Sequence, residues 1–333
     1  MRAEDRFFMG RRDAGAYAEP CARVRALEKR LLGKERLAEL RAAAGVADVT
    51  AMLRGWGWLS MEAEGNGSWD EAVTAGLAES DRDLVRMDPS PLVTSLLVSA
   101  HDLLNLCAAL KAKAGGRAFD GKLHPRGSHS PSALESMVNR MEFSGFPDVL
   151  AAGLSRLGEV LAAGSPAEIA AAVFRARHEA LRDAARREGS RLLLDYLDHS
   201  ADLANIAFRI RTTLYPELWS DGMFFLPSGL IDDEVIRGAT DMEGLVRRLG
   251  RTVYGPLLER SRDGDGRITP STLEREGEDL LTRILQPARY VALGPEPLWS
   301  FYFARETDAR NVRSIALGLL SGRGSPALRR PYV

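Results

Sequence analysis

Three Asp-x-x-Asn motifs contain the side chains of this sequence that are best placed to do chemistry. They occur in the stretches HDLLNL, ADLANI and TDARNV, at residues 101–106, 201–206 and 307–312. Because a helix advances about 100° per residue, side chains three positions apart lie on one face, one turn apart. Three carboxylates on three helices could converge on a pseudo-threefold axis and hold a metal ion. The six motif residues are Asp102, Asn105, Asp202, Asn205, Asp308 and Asn311.

The setting of the motifs favours a structural role. Carboxylate metal sites on helices normally add Glu-x-x-His ligands, which are missing here. The first motif lies in an apolar run that predicts a buried helix, where an unsatisfied polar group costs about 1–3 kcal/mol. Residues 106, 206 and 312, one helical turn after each Asp, are Leu, Ile and Val, so no Lys or Arg recurs at this position. We therefore predict that backbone N–H groups at the start of an adjacent helix donate hydrogen bonds to each Asp carboxylate. The Asn side-chain amide is then free to form a bridging hydrogen bond.

Two further stretches resemble metal sites but lack essential ligands. His101 and Asp102 form the His-Asp pair of metal-dependent phosphohydrolases, yet no His precedes position 101 as a further ligand. The stretch SRDGDGRITPST at 261–272 resembles a calcium-binding EF-hand loop, but Ser261 and Thr272 occupy its first and twelfth ligand positions. The sequence predicts a solvated Gly/Asp turn there.

Other catalytic motifs are missing from the sequence. It has no GxxxxGK[ST], GxGxxG, CxxC or HExxH pattern and no GxSxG nucleophile elbow. His124 and His129 lie in a polar Pro/Gly/Ser loop and are predicted to be exposed bystanders. Trp56, Trp58 and the FYF run at 301–303 are predicted to fill a core. We therefore predict no catalytic residue, no metal site and no cofactor.

Helix signals dominate the elements that must position the motifs. The stretch SPAEIAAAVFRARHEALRDAARREG has Ser165 as its N-cap, Pro166 at the first helical position and Glu168 closing a capping box. Its apolar residues follow a helical period, and Gly189 ends the helix. No segment shows sustained alternation of apolar and polar residues, so an all-α fold is predicted.

Two other features of the chain bear on its helices. SALE at 132–135 and STLE at 271–274 repeat the capping signature, so each is predicted to open a helix. MFFLPSGLI at 223–231 is the best candidate for a strand, but its Pro and Gly favour a loop.

The motifs also divide the chain into three similar stretches. Asp102, Asp202 and Asp308 are separated by 100 and 106 residues. A Pro-x-Pro-Leu stretch has its second Pro eleven residues before the first and third Asp, and the turns LHPRG and FLPSG follow the first and second Asn. We predict three diverged helical repeats in one globular body. Their approximate bounds are residues 1–125, 126–230 and 231–333.

Composition narrows the choice of compartment and partner. Of 333 residues, 45 are Lys or Arg and 46 are Asp or Glu, a balance that argues against a nucleic-acid-binding surface. The longest charge-free run, 89–101, is shorter than the roughly 20 residues that cross a bilayer. The N-terminal MRAEDRFFMGRRD lacks the apolar segment of a secretory signal. Cys21 and Cys107 fit a reducing compartment, so a cytosolic protein is expected.

Several ordered motifs together resemble one family. They are the three Asp-x-x-Asn helices, ARVRALEKRLL at 22–32, the LHPRG and FFLPSG turns, and ETDARNVRSIALGLL at 306–320. This combination resembles the C subunit of V-type/A-type ATP synthases, which is the equivalent of the d subunit of the eukaryotic vacuolar ATPase. The resemblance runs from about residue 17 to the end of the sequence.

The resemblance implies a non-catalytic rotor part of the central stalk. Such proteins form a funnel of three similar helical domains on the cytoplasmic face of the membrane, peripheral and without a transmembrane segment. They sit on the rotor ring of proteolipid subunits and receive the end of the shaft made by subunits D and F, so that torque passes between ATP chemistry and ion transport. No nucleic acid and no small-molecule substrate is expected as a partner.

Two points stay open at the level of sequence. The third copy in relatives is often richer in Glu, so Glu306 and Asp308 could exchange roles. No sequence motif identifies the residues that line the shaft-binding cavity. An alternative function is an all-α metal-dependent hydrolase that uses His101, Asp102, Asp202 and Asp308, and analysis of bound metal would distinguish the two.

Overall fold

The fold is entirely helical within the residues that can be described. The computed structural model describes residues 14–59, 68–119, 121–215, 225–227, 229–322, 324 and 327–333. Helices account for 71% of these residues and no β-strand occurs among them, which confirms the all-α class. The N-terminal stretch MRAEDRFFMGRRD lies outside the described residues.

The α-helices are numbered in chain order. In the first half of the chain they are α1 Ala18–Glu28, α2 Lys34–Arg41, α3 Val46–Gly55, α4 Trp69–Met87, α5 Leu92–Val98, α6 Ala100–Ala114, α7 Pro131–Arg140, α8 Asp148–Arg156 and α9 Gly158–Ala163. In the second half they are α10 Pro166–Arg187, α11 Arg191–Leu214, α12 Asp233–Arg237, α13 Met242–Leu249, α14 Gly255–Arg260, α15 Pro270–Leu285 and α16 Glu296–Ser321.

The chain divides into two compact units. The terminal unit comprises Met1–Val98, Ala185–Leu192 and Thr282–Val333. Its central element is α16, which packs against α1, α2, α3, α4 and α5. Trp58, Phe301 and Tyr302 are buried here, as predicted for core aromatics, whereas Trp56 and Phe303 are only partly buried. The core of this unit includes Leu32, Leu40, Leu53, Leu77, Val312 and Ile315.

The middle unit comprises Ser99–Ala184 and Leu193–Leu281. Helix α6 packs against α7 and α9, and α13 packs against α12 and α14. One face of α11 forms a continuous apolar core with the segments that follow it in the chain. That core includes Ile206, Phe208, Ile210, Tyr254, Leu257 and Leu273.

Helix α10 begins and ends where the sequence predicts. The Ser165 amide donates to Glu168 Oε2 at 2.7 Å and the Glu168 amide donates to Ser165 Oγ at 3.3 Å, which confirms the capping box. Gly189, at φ 62°, ends the helix in the left-handed region that favours glycine. The same box at Ser68 and Glu71 opens α4 and was missed by the sequence analysis.

The predicted starts of two other helices are shifted by one or more residues. Ser130, rather than Ser132, caps α7, because Pro131 takes the first helical position and Ser130 Oγ accepts from the Ala133 amide at 3.2 Å. Helix α15 begins at Pro270, so Ser271 already lies inside it. The physical reason is the same in both places, since proline is preorganised for the first turn.

Both stretches predicted to be irregular are irregular where they can be described. Residues 225–227 and 229–231 are not helical, while Met223, Phe224 and Ser228 lie outside the described residues. In the Gly/Asp turn, Asp263 Oδ1 accepts from the amides of Asp265 and Arg267. These bonds close the loop on its own backbone.

Within the described ranges, no single helix is long and apolar enough to cross a bilayer. Helices α5 and α6 meet the criterion of length and composition only as a pair, across a bend.

Candidate functional site

Each Asp-x-x-Asn pair lies on a buried helix face. We call each pair, with the groups that it binds, an anchor. The first anchor contains Asp102 and Asn105 on α6, the second Asp202 and Asn205 on α11, and the third Asp308 and Asn311 on α16. All six side chains are buried, with relative exposures of 7%, 3%, 0%, 0%, 1% and 0% in that order.

In the first anchor, the Asn amide pairs with one backbone residue. Asn105 Nδ2 donates to the His124 carbonyl at 3.3 Å, and the His124 amide donates to Asn105 Oδ1 at 2.6 Å. Asp102 accepts from the amides of Ser128 and His129 at 2.6 and 3.1 Å, and from Ser128 Oγ at 2.9 Å. These amides lie just before α7. At Gly127 a Cβ would come within 2.2 Å of Asn105 Nδ2, so the close approach requires glycine.

The loop of the first anchor corrects one prediction. His124 and His129 are partly buried, and their side chains pack within the middle unit. The His124 ring stacks on the His101 ring at 4.3 Å between centroids, and the His129 ring meets the edge of Phe146 at 5.1 Å. The prediction that both are exposed bystanders was wrong, because the anchor folds this polar loop onto α6.

The second anchor has the same two parts. Asn205 Nδ2 donates to the Leu226 carbonyl at 2.9 Å, and the Leu226 amide donates to Asn205 Oδ1 at 2.7 Å. Asp202 Oδ2 accepts from the Leu230 amide at 3.0 Å and from the Ile231 amide at 3.3 Å. The backbone passes so close that a Cβ at residue 229 would lie 1.8 Å from Asp202 Oδ1. Only glycine fits there.

The second anchor also has a tyrosine partner. Tyr254 OH donates to Asp202 Oδ2 at 2.7 Å, and His199 Nδ1 lies 2.8 Å from the same hydroxyl. Burial raises the pKa of Asp202, although hydrogen bonds from Tyr254, Ile231 and Leu230 act in the opposite direction. Burial likewise lowers the pKa of His199. The three side chains therefore form a hydrogen-bonded row in which the hydroxyl connects the ring to the carboxyl group.

The third anchor has the same Asn pairing, but different groups donate hydrogen bonds to its Asp carboxyl group. Asn311 Nδ2 donates to the Arg329 carbonyl at 3.1 Å, and the Arg329 amide donates to Asn311 Oδ1 at 2.8 Å. Asp308 Oδ2 accepts from the Leu32 amide and from Trp58 Nε1, each at 3.0 Å. The acceptor of these bonds is therefore Asp308 and not Glu306.

Burial strongly perturbs the acidity of the Asp308 carboxyl group. Burial raises its pKa to about 7, and the Leu32 amide, the Arg305 guanidinium and the Trp58 indole only partly oppose this. Arg305 is itself buried, and its Nη2 donates to the Trp58 carbonyl at 3.1 Å. Trp58 therefore donates a hydrogen bond to Asp308 from its ring N–H and accepts one from Arg305 at its backbone carbonyl.

The hydrogen bonds of the three anchors hold loops against the helices that carry the Asp and Asn side chains. Each Asp carboxyl group accepts hydrogen bonds from N–H or O–H groups of the protein itself. Its polar atoms are therefore satisfied although they are buried. Within the residues that the structure describes, no group of three or more His, Cys, Asp or Glu side chains is spaced to hold a metal ion. Sequence reasoning missed Tyr254 and Trp58 as partners, since neither occurs at a spacing that links it to an Asp.

The described residues thus form an all-helical fold with three buried Asp–Asn anchors. The sequence model of the ATP synthase (C/AC39) subunit family matches residues 20–325, and the chain belongs to this family. The family makes it a V/A-type ATP synthase subunit of structural rather than catalytic kind. No curated protein sequence matches the chain at a significant level.

Proposed function

We propose that the protein is a non-catalytic rotor subunit in the central stalk of a V/A-type ATP synthase. It connects the shaft made by subunits D and F to the membrane ring of proteolipid subunits, on the cytoplasmic face, and passes torque between ATP chemistry and ion transport. The observation that carries this proposal is the family match over residues 20–325.

The three anchors support a further part of the proposal, that the chain consists of three repeats of one helical unit. Each Asn binds both backbone groups of one residue, which lies 19, 21 or 18 residues further along the chain. Each Asp accepts a backbone N–H immediately before a helix. We infer three repeats with approximate bounds 1–125, 126–230 and 231–333. Three such units around a pseudo-axis would form a funnel with a rim for the ring and an opening for the shaft.

A coupling part must transmit force without yielding, and the anchors suit that need. A two-point amide pairing fixes both the position and the rotation of a loop against its helix, because its two bonds run in opposite directions. Leaving any of these buried groups unpaired costs about 1–3 kcal/mol, so slippage of a loop is disfavoured.

No observation favours the alternative of a metal-dependent hydrolase. That function needs free carboxylates, whereas Asp102, Asp202 and Asp308 each accept bonds from separate protein donors. Stoichiometric bound metal that is lost on Asp102→Ala would revive the alternative.

A pull-down from native membranes tests the rotor proposal. The tagged full-length protein should recover the proteolipid ring and the shaft subunits D and F after gentle detergent extraction. Membranes from cells that express the untagged protein serve as the control. Recovery of neither ring nor shaft, with the tagged protein shown to be folded by circular dichroism, would overturn the proposal.

A further inference from the structure

The second anchor contains three titratable side chains in one hydrogen-bonded row. His199 and Asp202 lie on α11, and Tyr254 is the N-cap residue of α14. Asp202 and Tyr254 are fully buried, whereas the His199 side chain is partly exposed. His199 Nδ1 lies 2.8 Å from the Tyr254 hydroxyl oxygen, which lies 2.7 Å from Asp202 Oδ2. The row therefore connects a partly exposed ring to a buried acid.

The number of hydrogens fixes the direction of this row. A tyrosine hydroxyl has one hydrogen to donate, and an ionised carboxylate has none. Asp202 Oδ2 also accepts from the amides of Leu230 and Ile231, at 3.0 and 3.3 Å. The hydroxyl hydrogen of Tyr254 is therefore committed to Asp202, and the hydroxyl oxygen meets His199 as an acceptor. The hydrogen between these two side chains must lie on Nδ1.

We propose that His199 is held as the Nδ1–H tautomer and is the pH-sensitive group of the second anchor, taking up its proton on Nε2. The hydrogen bond at one ring nitrogen fixes the tautomer, so the other nitrogen carries the lone pair. The Tyr254 hydroxyl keeps its hydrogen, because burial and the Asp202 carboxylate both raise its pKa. A proton on Nε2 leaves the row intact but places a positive charge on a partly buried ring.

Two opposing effects decide how the ring responds to acid. Within the residues that the structure describes, the charged groups that act on it are Asp202 and Asp195, both on α11, while the start of α14 presents the neutral hydroxyl of Tyr254. Burial is the larger effect and lowers the pKa of His199 below its ordinary value of 6.5, although both carboxylates favour the cation. The charged ring is therefore disfavoured in the folded protein.

The second anchor should consequently weaken as the pH falls. Because the folded chain takes up this proton less readily than the unfolded chain, the stability contributed by the neutral ring is complete above pH 6.5. It is lost as the pH falls below 6.5 through the lowered pKa of His199 in the folded state. Asp308 in the terminal unit responds in the opposite sense, since its contribution is lost as the pH rises through about 7.

The first test identifies the tautomer. Two-bond ¹H–¹⁵N correlation spectra of the ¹⁵N-labelled full-length protein at pH 8 distinguish a ring nitrogen that carries hydrogen from one that does not. His199→Asn and His199→Gln each identify the signal by its loss. We expect the hydrogen on Nδ1, and Tyr254→Phe, which keeps the buried ring but removes the acceptor, should abolish the preference for this form. An Nε2–H ring in the wild type would overturn the proposal.

The second test measures the response to acid. His199→Asn places an N–H donor near the position of Nδ1 and cannot titrate, whereas His199→Gln extends its amide towards the position of Nε2. At pH 8 the Asn variant should therefore keep more of the wild-type stability. Between pH 8 and pH 5 the wild-type folding constant, measured by urea unfolding, should fall severalfold relative to that of His199→Asn. Parallel pH curves for these two proteins would overturn the proposal, and neither test depends on the result of the membrane pull-down.

Discussion

The second and third anchors contain the same Asp–Asn pair but draw on different parts of the chain. In the second, the partners Leu226 and Tyr254 lie 21 and 52 residues downstream of the residues that they bind. In the third, Arg329 lies 18 residues downstream, whereas Leu32 and Trp58 precede Asp308 by 276 and 250 residues. The third anchor therefore joins the N-terminal and C-terminal parts of the terminal unit.

This difference separates a local contact from a long-range one. Closing a longer loop costs more entropy, and contacts between distant residues form later and more slowly during folding. The third anchor also contains a buried guanidinium, Arg305, whose charge interacts with the Asp308 carboxyl group. We expect the stability of the terminal unit to depend more steeply on its anchor than that of the middle unit does on the second.

The largest effect is expected from Asp308→Ala. The change leaves the Leu32 amide and Trp58 Nε1 without an acceptor and removes a carboxyl group that interacts with the charge of buried Arg305. The free energy of unfolding should fall by about 3–5 kcal/mol. Urea unfolding followed by circular dichroism measures this. A loss smaller than that of Asp202→Ala would contradict the ranking of the two anchors.

The pH dependence of the third anchor should follow from its raised pKa. Because burial raises the pKa of Asp308 from its ordinary value to about 7, the stability contributed by this group is complete at low pH and is lost as pH rises through about 7. The Asp308→Asn variant keeps the shape of the side chain but has no ionisable group at this position. Relative to this variant, the wild type should lose up to about 4 kcal/mol between pH 4 and pH 8. Parallel pH curves for the two proteins would rule out the raised pKa.

A smaller effect is expected at the second anchor. Asp202→Ala and Asn205→Ala each leave buried backbone groups unpaired, so each should lower the free energy of unfolding by about 1–3 kcal/mol. Glu39→Ala, at an exposed position of α2, is the control and should change it by less than about 0.5 kcal/mol. Urea titrations of the four proteins provide the comparison. Values for the anchor variants that match the control would show that the second anchor does not stabilise the fold.

The smallest effect is expected from Tyr254→Phe. It removes one donor to Asp202 and keeps the buried ring, so the cost should be about 1 kcal/mol. The hydrogen bond from Tyr254 lowers the pKa of Asp202, so its loss should raise that pKa further. NMR titration of the Asp202 carboxyl carbon measures the shift. A fall in this pKa would show that the hydroxyl does not donate to the carboxylate.

The sequence predicted some parts of this structure because they depend on local chemistry. The ends of α10 follow from Ser165, Glu168 and Gly189, and the recurrence of Asp and Asn in apolar helices predicted buried polar pairs. The partners that depend on tertiary contacts could not be predicted. No spacing rule links Tyr254 to Asp202, or Trp58 to Asp308 across 250 residues.

The polar loop after α6 shows why local composition can mislead. Its Pro, Gly, Ser and His residues indicate a solvated loop, and composition alone gives no reason to place it elsewhere. The Asp102 carboxylate and the Asn105 amide supply acceptors and a donor that only the folded helix presents at the right distance. The loop is therefore held against α6 by groups that lie about 20 residues earlier.

The proposed coupling role is tested most directly by ATP-driven ion uptake in membrane vesicles from cells that lack this protein. ATP hydrolysis by the catalytic head should persist while ion uptake is lost, and adding back the wild-type protein should restore uptake. Ion uptake at the wild-type rate in vesicles without the protein would contradict the coupling role.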